Sequence, residues 1–142
     1  MSTKNYTITD IHQLKEVAVF IKTLIPKNTL FLFDGVMGAG KTTLINELCK
    51  EISIEEQPSS PTYSIVNTYN SNEFGEVYHF DFYRLKDENE AVESGLDELI
   101  ESGKVCFIEW GEKVAKLLPN NFVRVIIKVI STNHRTIEIQ EI

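Results

Sequence analysis

Residues 29–52 read TLFLFDGVMGAGKTTLINELCKEI, and three patterns follow one another in this stretch. Thr29 to Phe33 is a short run with no polar face, which suits a strand covered on both sides, as in a parallel sheet. A glycine-rich turn follows. Beyond it Leu44, Ile45, Leu48, Cys49 and Ile52 recur at helical spacing and form one apolar stripe. Strand, glycine turn and helix open a phosphate-binding α/β unit. Gly35-Val-Met-Gly-Ala-Gly-Lys-Thr42 satisfies G-x-x-x-x-G-K-[ST] at every fixed position.

The residue types explain the motif. Gly35, Gly38 and Gly40 let the backbone curl so that successive N–H groups face one anion without Cβ atoms in the way. The helix that starts at the turn adds its free N–H groups and the positive end of its dipole. Lys41 supplies a mobile ammonium for the β and γ phosphates of a nucleoside triphosphate, and Thr42 offers a hydroxyl to Mg2+, which takes oxygen ligands.

Upstream, Lys4 to Ile8 alternates like a short strand. Asp10 and Gln13 form a predicted capping box, and Leu14, Val17, Ala18, Ile21 and Ile25 trace a helix that Pro26 ends. Downstream, Glu55 to Pro61 is a polar loop. Strands are predicted at Ser64–Tyr69, Glu76–Phe82 and Lys104–Ile108, with a helix over Asp87–Ser102 broken at Gly95. Phe122–Ile130 and Arg135–Ile139 alternate around a turn and predict a terminal hairpin. The expectation is one α/β domain over residues 1–142, P-loop NTPase-like. Its mostly parallel central sheet would be flanked by helices, with antiparallel additions at the C-terminus.

A phosphate loop needs an acidic partner for its metal, and two carboxylates stand at or near the ends of predicted strands. Asp81 lies near the end of one, in Glu76-Val-Tyr-His-Phe-Asp, and Glu109 lies at the end of another, in Val105-Cys-Phe-Ile-Glu; ligands of parallel α/β sheets bind beyond the carboxyl ends of strands. The four apolar residues before Glu109 make it the better Walker-B acid. In Ser59-Ser-Pro-Thr-Tyr63, Thr62 is placed to touch a γ-phosphate or its metal, or else the loop only sets a bend. His79 faces away from Tyr78 and Phe80 on its strand, and a hydrogen-bonded structural role is its default. Trp110, the single tryptophan, follows Glu109 directly.

Net charge is −7 over 142 residues, and three arginines are scattered (Arg84, Arg124, Arg135), which disfavours a direct grip on a nucleic-acid backbone. The first ten residues hold no apolar signal region, and no apolar run approaches a membrane span. Cys49 and Cys106 read as buried thiols in a reducing compartment. A cytoplasmic location is expected.

Taken together, GxxGAGKTT, SPTY, HFDFYRL, GLDEL and IEWGE resemble the bacterial TsaE family, across nearly the whole chain. The resemblance implies a P-loop ATPase required for threonylcarbamoyladenosine formation on tRNA, slow alone and coupled to a complex with TsaB and TsaD, with tRNA engaged only indirectly. It implies that Gly38, Ala39, Gly40, Lys41, Thr42 and Thr43 bind ATP phosphates. Thr42 and Glu109 would hold Mg2+, with Asp81 as ligand or water-positioner, and Thr62 would belong to a switch-like loop. Thr9, His134 and Arg135 would border the base. Val36 and Met37 depart from the family's usual acidic or polar residue followed by Leu. The alternative reading is a small-molecule kinase of the shikimate-kinase type, which would need a clamp of cations around the migrating phosphoryl group.

Overall fold

A computed structural model describes residues 2–56 and 65–142 of the chain. In chain order the elements are β1 (Ser2–Ile8), a 3-10 turn (Ile11–Gln13), α1 (Leu14–Lys22), β2 (Leu30–Asp34), α2 (Lys41–Glu51), β3 (Val66–Ser71) and β4 (Gly75–Asp81). There follow α3 (Glu88–Glu93), α4 (Leu96–Ile100), β5 (Val105–Glu109), a 3-10 segment (Gly111–Leu117), β6 (Val123–Ser131) and β7 (His134–Glu141). Among the described residues the strands form one sheet in the order β1-β7-β6-β2-β5-β4-β3.

The centre of that sheet is parallel: β2 pairs with β5 and β6, and β5 with β4. Its margins are antiparallel, with β7 between β6 and β1 on one side and β3 against β4 on the other. The predicted terminal hairpin is therefore only half an addition, because β6 is also a parallel strand of the core. Hairpin periodicity cannot reveal that second pairing, since both sides of a strand bond through backbone alone. Ser64, the first residue of the third predicted strand, lies outside the described residues; the strand itself runs Val66–Ser71.

Strand alternation divides the core in two. Phe31, Phe33 and Phe107 point toward α1 and α2, where the Phe107 ring meets the other two edge-on at centroid distances of 6.0 and 5.9 Å. Leu30, Leu32, Cys106 and Ile108 point the other way, toward α3, α4 and the 3-10 segment. Burial on both faces is why β2 and β5 read as unbroken apolar runs. The predicted capping box is present: Asp10 accepts from the His12 backbone N–H, and the Gln13 side chain reaches back to Asp10 N. Gly95, in the left-handed region at φ 76°, splits α3 from α4. Cys49 and Cys106 are buried on opposite faces of the sheet, and burial pushes each thiol up to about 12.

Candidate phosphate and metal site

β2 delivers the chain to the sheet's carboxyl edge at Asp34, and the loop 35–40 returns it into α2. Gly38 and Gly40 take φ of 81° and 110°, a region that L side chains avoid, and no atom beyond the adjacent residues lies within 4 Å of where a Cβ would stand. Gly40 is the N-cap of α2 and provides no side-chain cap, so the helix presents an uncapped N-terminus to the loop. Val36 and Met37 are 67% and 63% exposed. Their side chains face solvent, so this departure from the family pattern leaves the curl of the loop intact.

Lys41 is buried to 6% exposure, and its Nζ donates to Gly35 O at 2.7 Å. The same ammonium lies 3.8 Å from the centroid of the Trp110 ring, a cation–π contact. Trp110 reaches that position through a left-handed backbone (φ 60°, ψ 43°), a conformation that costs a bulky residue about 1–3 kcal/mol. Its ring also meets Tyr83 at 5.1 Å.

β4 and β5 are in register with Asp81 beside Glu109, so both carboxylates leave the sheet on the face that carries α2. Glu109 is buried, 3% exposed, with each oxygen engaged. Thr42 Oγ1 donates to Oε1 at 3.2 Å, and His79 Nε2 lies 2.7 Å from Oε2. Asp81 is half-buried and accepts the Tyr83 backbone N–H at 3.1 Å. A cavity of about 320 Å3 gathers Lys41, Thr42, Asp81, Glu109 and Trp110 around one opening. Among the described residues no three His, Cys, Asp or Glu side chains converge into a metal cage. The donors present are two carboxylates and a hydroxyl beside a phosphate loop. That set suits Mg2+, which is usually held by one or two carboxylates together with substrate phosphates and water.

A second cavity, about 300 Å3, opens on the other side of the loop between Thr9, Gly38, Ala39, Gly40, Thr43 and Arg135. Arg135 Nε donates to Ala39 O at 2.9 Å and fastens the β6–β7 turn to the phosphate loop. A third hollow of about 440 Å3 lies beyond Lys41, where Arg124 pairs with Asp34 at 3.0 Å. Burial raises the Asp34 carboxyl, an effect opposed by Arg124, reinforced by Glu112 and opposed by Lys41.

The model of the family described as "Threonylcarbamoyl adenosine biosynthesis protein TsaE" matches residues 8–137. The chain belongs to the TsaE family. A TsaE from Rickettsia bellii is 38% identical over 117 residues, covering 82% of this chain and 79% of its own. One from Treponema pallidum is 31% identical, covering 82% and 84%, and one from Bacillus subtilis is 30% identical, covering 88% and 77%. Among solved structures, Bacillus subtilis YdiB superimposes with a TM-score of 0.75 at 22% identity, covering 97% of this chain and 84% of that one, a likeness of fold.

Within this TsaE chain, the residues singled out from sequence separate into two groups on opposite sides of the loop. Lys41, Thr42, Asp81 and Glu109 share one cavity, while Thr9, Ala39 and Arg135 share another; Gly38, Gly40 and Thr43 border both. Thr62 and the SPTY loop lie outside the described residues. His134 precedes Arg135 in β7 but does not line the second cavity. Sequence reasoning missed the bond from His79 to Glu109 and the seat of Lys41 on Trp110. Part of the signal for the first was available, since His79 stands two residues before Asp81 and so on the same face of its strand; the pairing of β4 with β5, which brings Glu109 to that face, was not. The second depends on a left-handed turn at a tryptophan, which no spacing announces.

Proposed function

We propose that this protein is a Mg2+-dependent ATP-binding and ATP-hydrolysing protein that serves threonylcarbamoyladenosine synthesis on tRNA, acting through a complex with TsaB and TsaD homologues. Family membership supports the role in threonylcarbamoyladenosine biosynthesis. The observation that carries the chemical reading is the convergence of Lys41, Thr42, Asp81 and Glu109 on the cavity at the mouth of the loop.

In this reading the loop N–H groups and the N-terminus of α2 bind the triphosphate. Lys41 leaves Gly35 O and the Trp110 face for the β and γ phosphates. Thr42 and Glu109 would hold Mg2+, which would supply positive charge against the triphosphate. Asp81, more open to solvent than Glu109, orients the attacking water. The groove at Thr9 and Arg135 receives the base and sugar.

The kinase alternative calls for free cations around the γ-phosphate. Of the three arginines, Arg124 is engaged by Asp34, Arg135 serves the opposite side of the loop, and Arg84 does not line the cavity at Lys41. Hydrolysis coupled to partners is therefore preferred. Steady-state ATP turnover, measured alone and with both partner homologues, tests it. Slow turnover that rises with partners and needs Mg2+ is expected. Turnover stimulated instead by a small hydroxyl acceptor, without partners, would replace it with the kinase.

A further inference from the structure

His79 has no part in the chemistry outlined above, yet it is fully buried and joined on both sides. Its Nε2 lies 2.7 Å from Glu109 Oε2, and its Nδ1 lies 3.2 Å from the Tyr69 hydroxyl. Asn67 Nδ2 donates to the same hydroxyl at 3.4 Å, the longest link. At the far end Thr42 Oγ1 donates to Glu109 Oε1 at 3.2 Å. One hydrogen-bonded line thus runs from edge strand β3 through β4 and β5 to the first turn of α2.

The chemistry of the donors gives the line a direction. An ionised carboxylate only accepts, so the short contact to Glu109 calls for a hydrogen on Nε2. In a neutral ring Nδ1 is then an acceptor, and the Tyr69 hydroxyl is the group able to donate to it. Asn67 donates to the phenolic oxygen.

We propose that His79 is a positioning residue: as the Nε2–H tautomer, with Tyr69 behind its Nδ1, it occupies Glu109 Oε2 so that Oε1 alone is presented to Mg2+ beside Thr42. This rests on the reading of Glu109 as a metal carboxylate. A terminal carboxylate torsion is broad and soft. With one oxygen held, Glu109 offers a single, fixed ligand atom to an ion that demands octahedral geometry and keeps much of its water. Removing His79 would free the rotation and strand a buried oxygen without a donor.

Mn2+ binding to the ADP-bound protein, read by electron paramagnetic resonance, tests the proposal without reference to turnover. His79→Leu is expected to weaken Mn2+ binding by about 10–100-fold, the usual effect of losing an outer-shell partner. ADP affinity without metal should stay unchanged. His79→Gln, whose amide nitrogen can stand in for Nε2, should restore most of the loss. In 15N spectra of the wild-type imidazole the hydrogen should sit on Nε2, and in Tyr69→Phe, which deletes the hydroxyl at Nδ1 and leaves the ring less firmly oriented, it should stay on Nε2 while Mn2+ binding weakens. Wild-type Mn2+ affinity in His79→Leu, no rescue by Gln, or a hydrogen on Nδ1 in the wild type would overturn the proposal. Should His79→Leu fail to fold, Tyr69→Phe and the wild-type spectrum decide. Glu109→Gln separates the two levels. If it leaves Mn2+ binding intact, the metal-carboxylate reading itself falls. If it abolishes binding while His79→Leu does not, only the role of His79 falls.

Discussion

On the β4–β5 side of the phosphate loop, Glu109 is buried and hydrogen-bonded through both oxygens, and Lys41 is held by a carbonyl and an indole face. On the β1–β7 side, Arg135 reaches the loop through Ala39 O, and the groove there is walled by Thr9, the glycines and aliphatic side chains such as Ile8 and Ile127. The first side fixes charges at defined points; the second offers surface. Charge must be placed to within a fraction of an ångström to hold an ion and steer phosphoryl chemistry. A base and sugar are held largely by shape and apolar area, with few polar anchors.

The contrast predicts an order of mutational effects. Lys41→Ala should weaken ATP binding by at least about tenfold, since hydrogen bonds to charged groups contribute about 1.5–3 kcal/mol; isothermal titration measures it. Unchanged affinity would mean that the loop does not bind triphosphate. Glu109→Gln should come next, raising the Mg2+ concentration needed for turnover by more than about tenfold with the fold intact. Asp81→Asn should slow turnover with a smaller shift in Mg2+ requirement, because its carboxylate is half-exposed and outside the His79 line. The opposite order in a Mg2+ titration would exchange the roles of the two acids.

Arg135→Ala tests the other side. If Arg135 helps to seat the base in the groove it lines, its loss should weaken ATP binding severalfold and binding of inorganic tripolyphosphate, which has no base to place, less. Equal losses for both ligands would show that Arg135 acts by bracing the loop alone. The smallest effect is expected at the thiols beneath both sides. With Cys49 and Cys106 pushed up to about 12, the reactive thiolate is scarce at neutral pH. Alkylation by iodoacetamide, followed by mass spectrometry, should be slow in the native protein and fast after denaturation. Rapid native labelling would contradict the packing of α2 or β5.

Much of the first side was legible in the sequence, because its requirements are chemical and local. The motif fixed the loop, unbroken apolar runs marked β2 and β5, and strand-end acids pointed to Asp81 and Glu109. Less of the second side was legible. Thr9 and Arg135 lie 126 residues apart and meet because β1 pairs with β7 near its start, Ile8 opposite Arg135. That antiparallel register leaves no mark on either strand alone, and the expectation that both border a base came from family resemblance. The turn at Trp110 was illegible for a different reason. A left-handed tryptophan is locally unfavourable, and its surroundings impose it.

Trp110 also supplies the most direct test of the central claim, that Lys41 and its neighbours form a Mg-ATP site. It is the single tryptophan, and its ring is the face on which the Lys41 ammonium rests. Titration of ATP with Mg2+ while following its emission should give a saturable change as Lys41 moves to the phosphates. Lys41→Ala should start from the altered emission and respond little. A flat wild-type signal, with equilibrium dialysis showing ATP bound, would contradict the account.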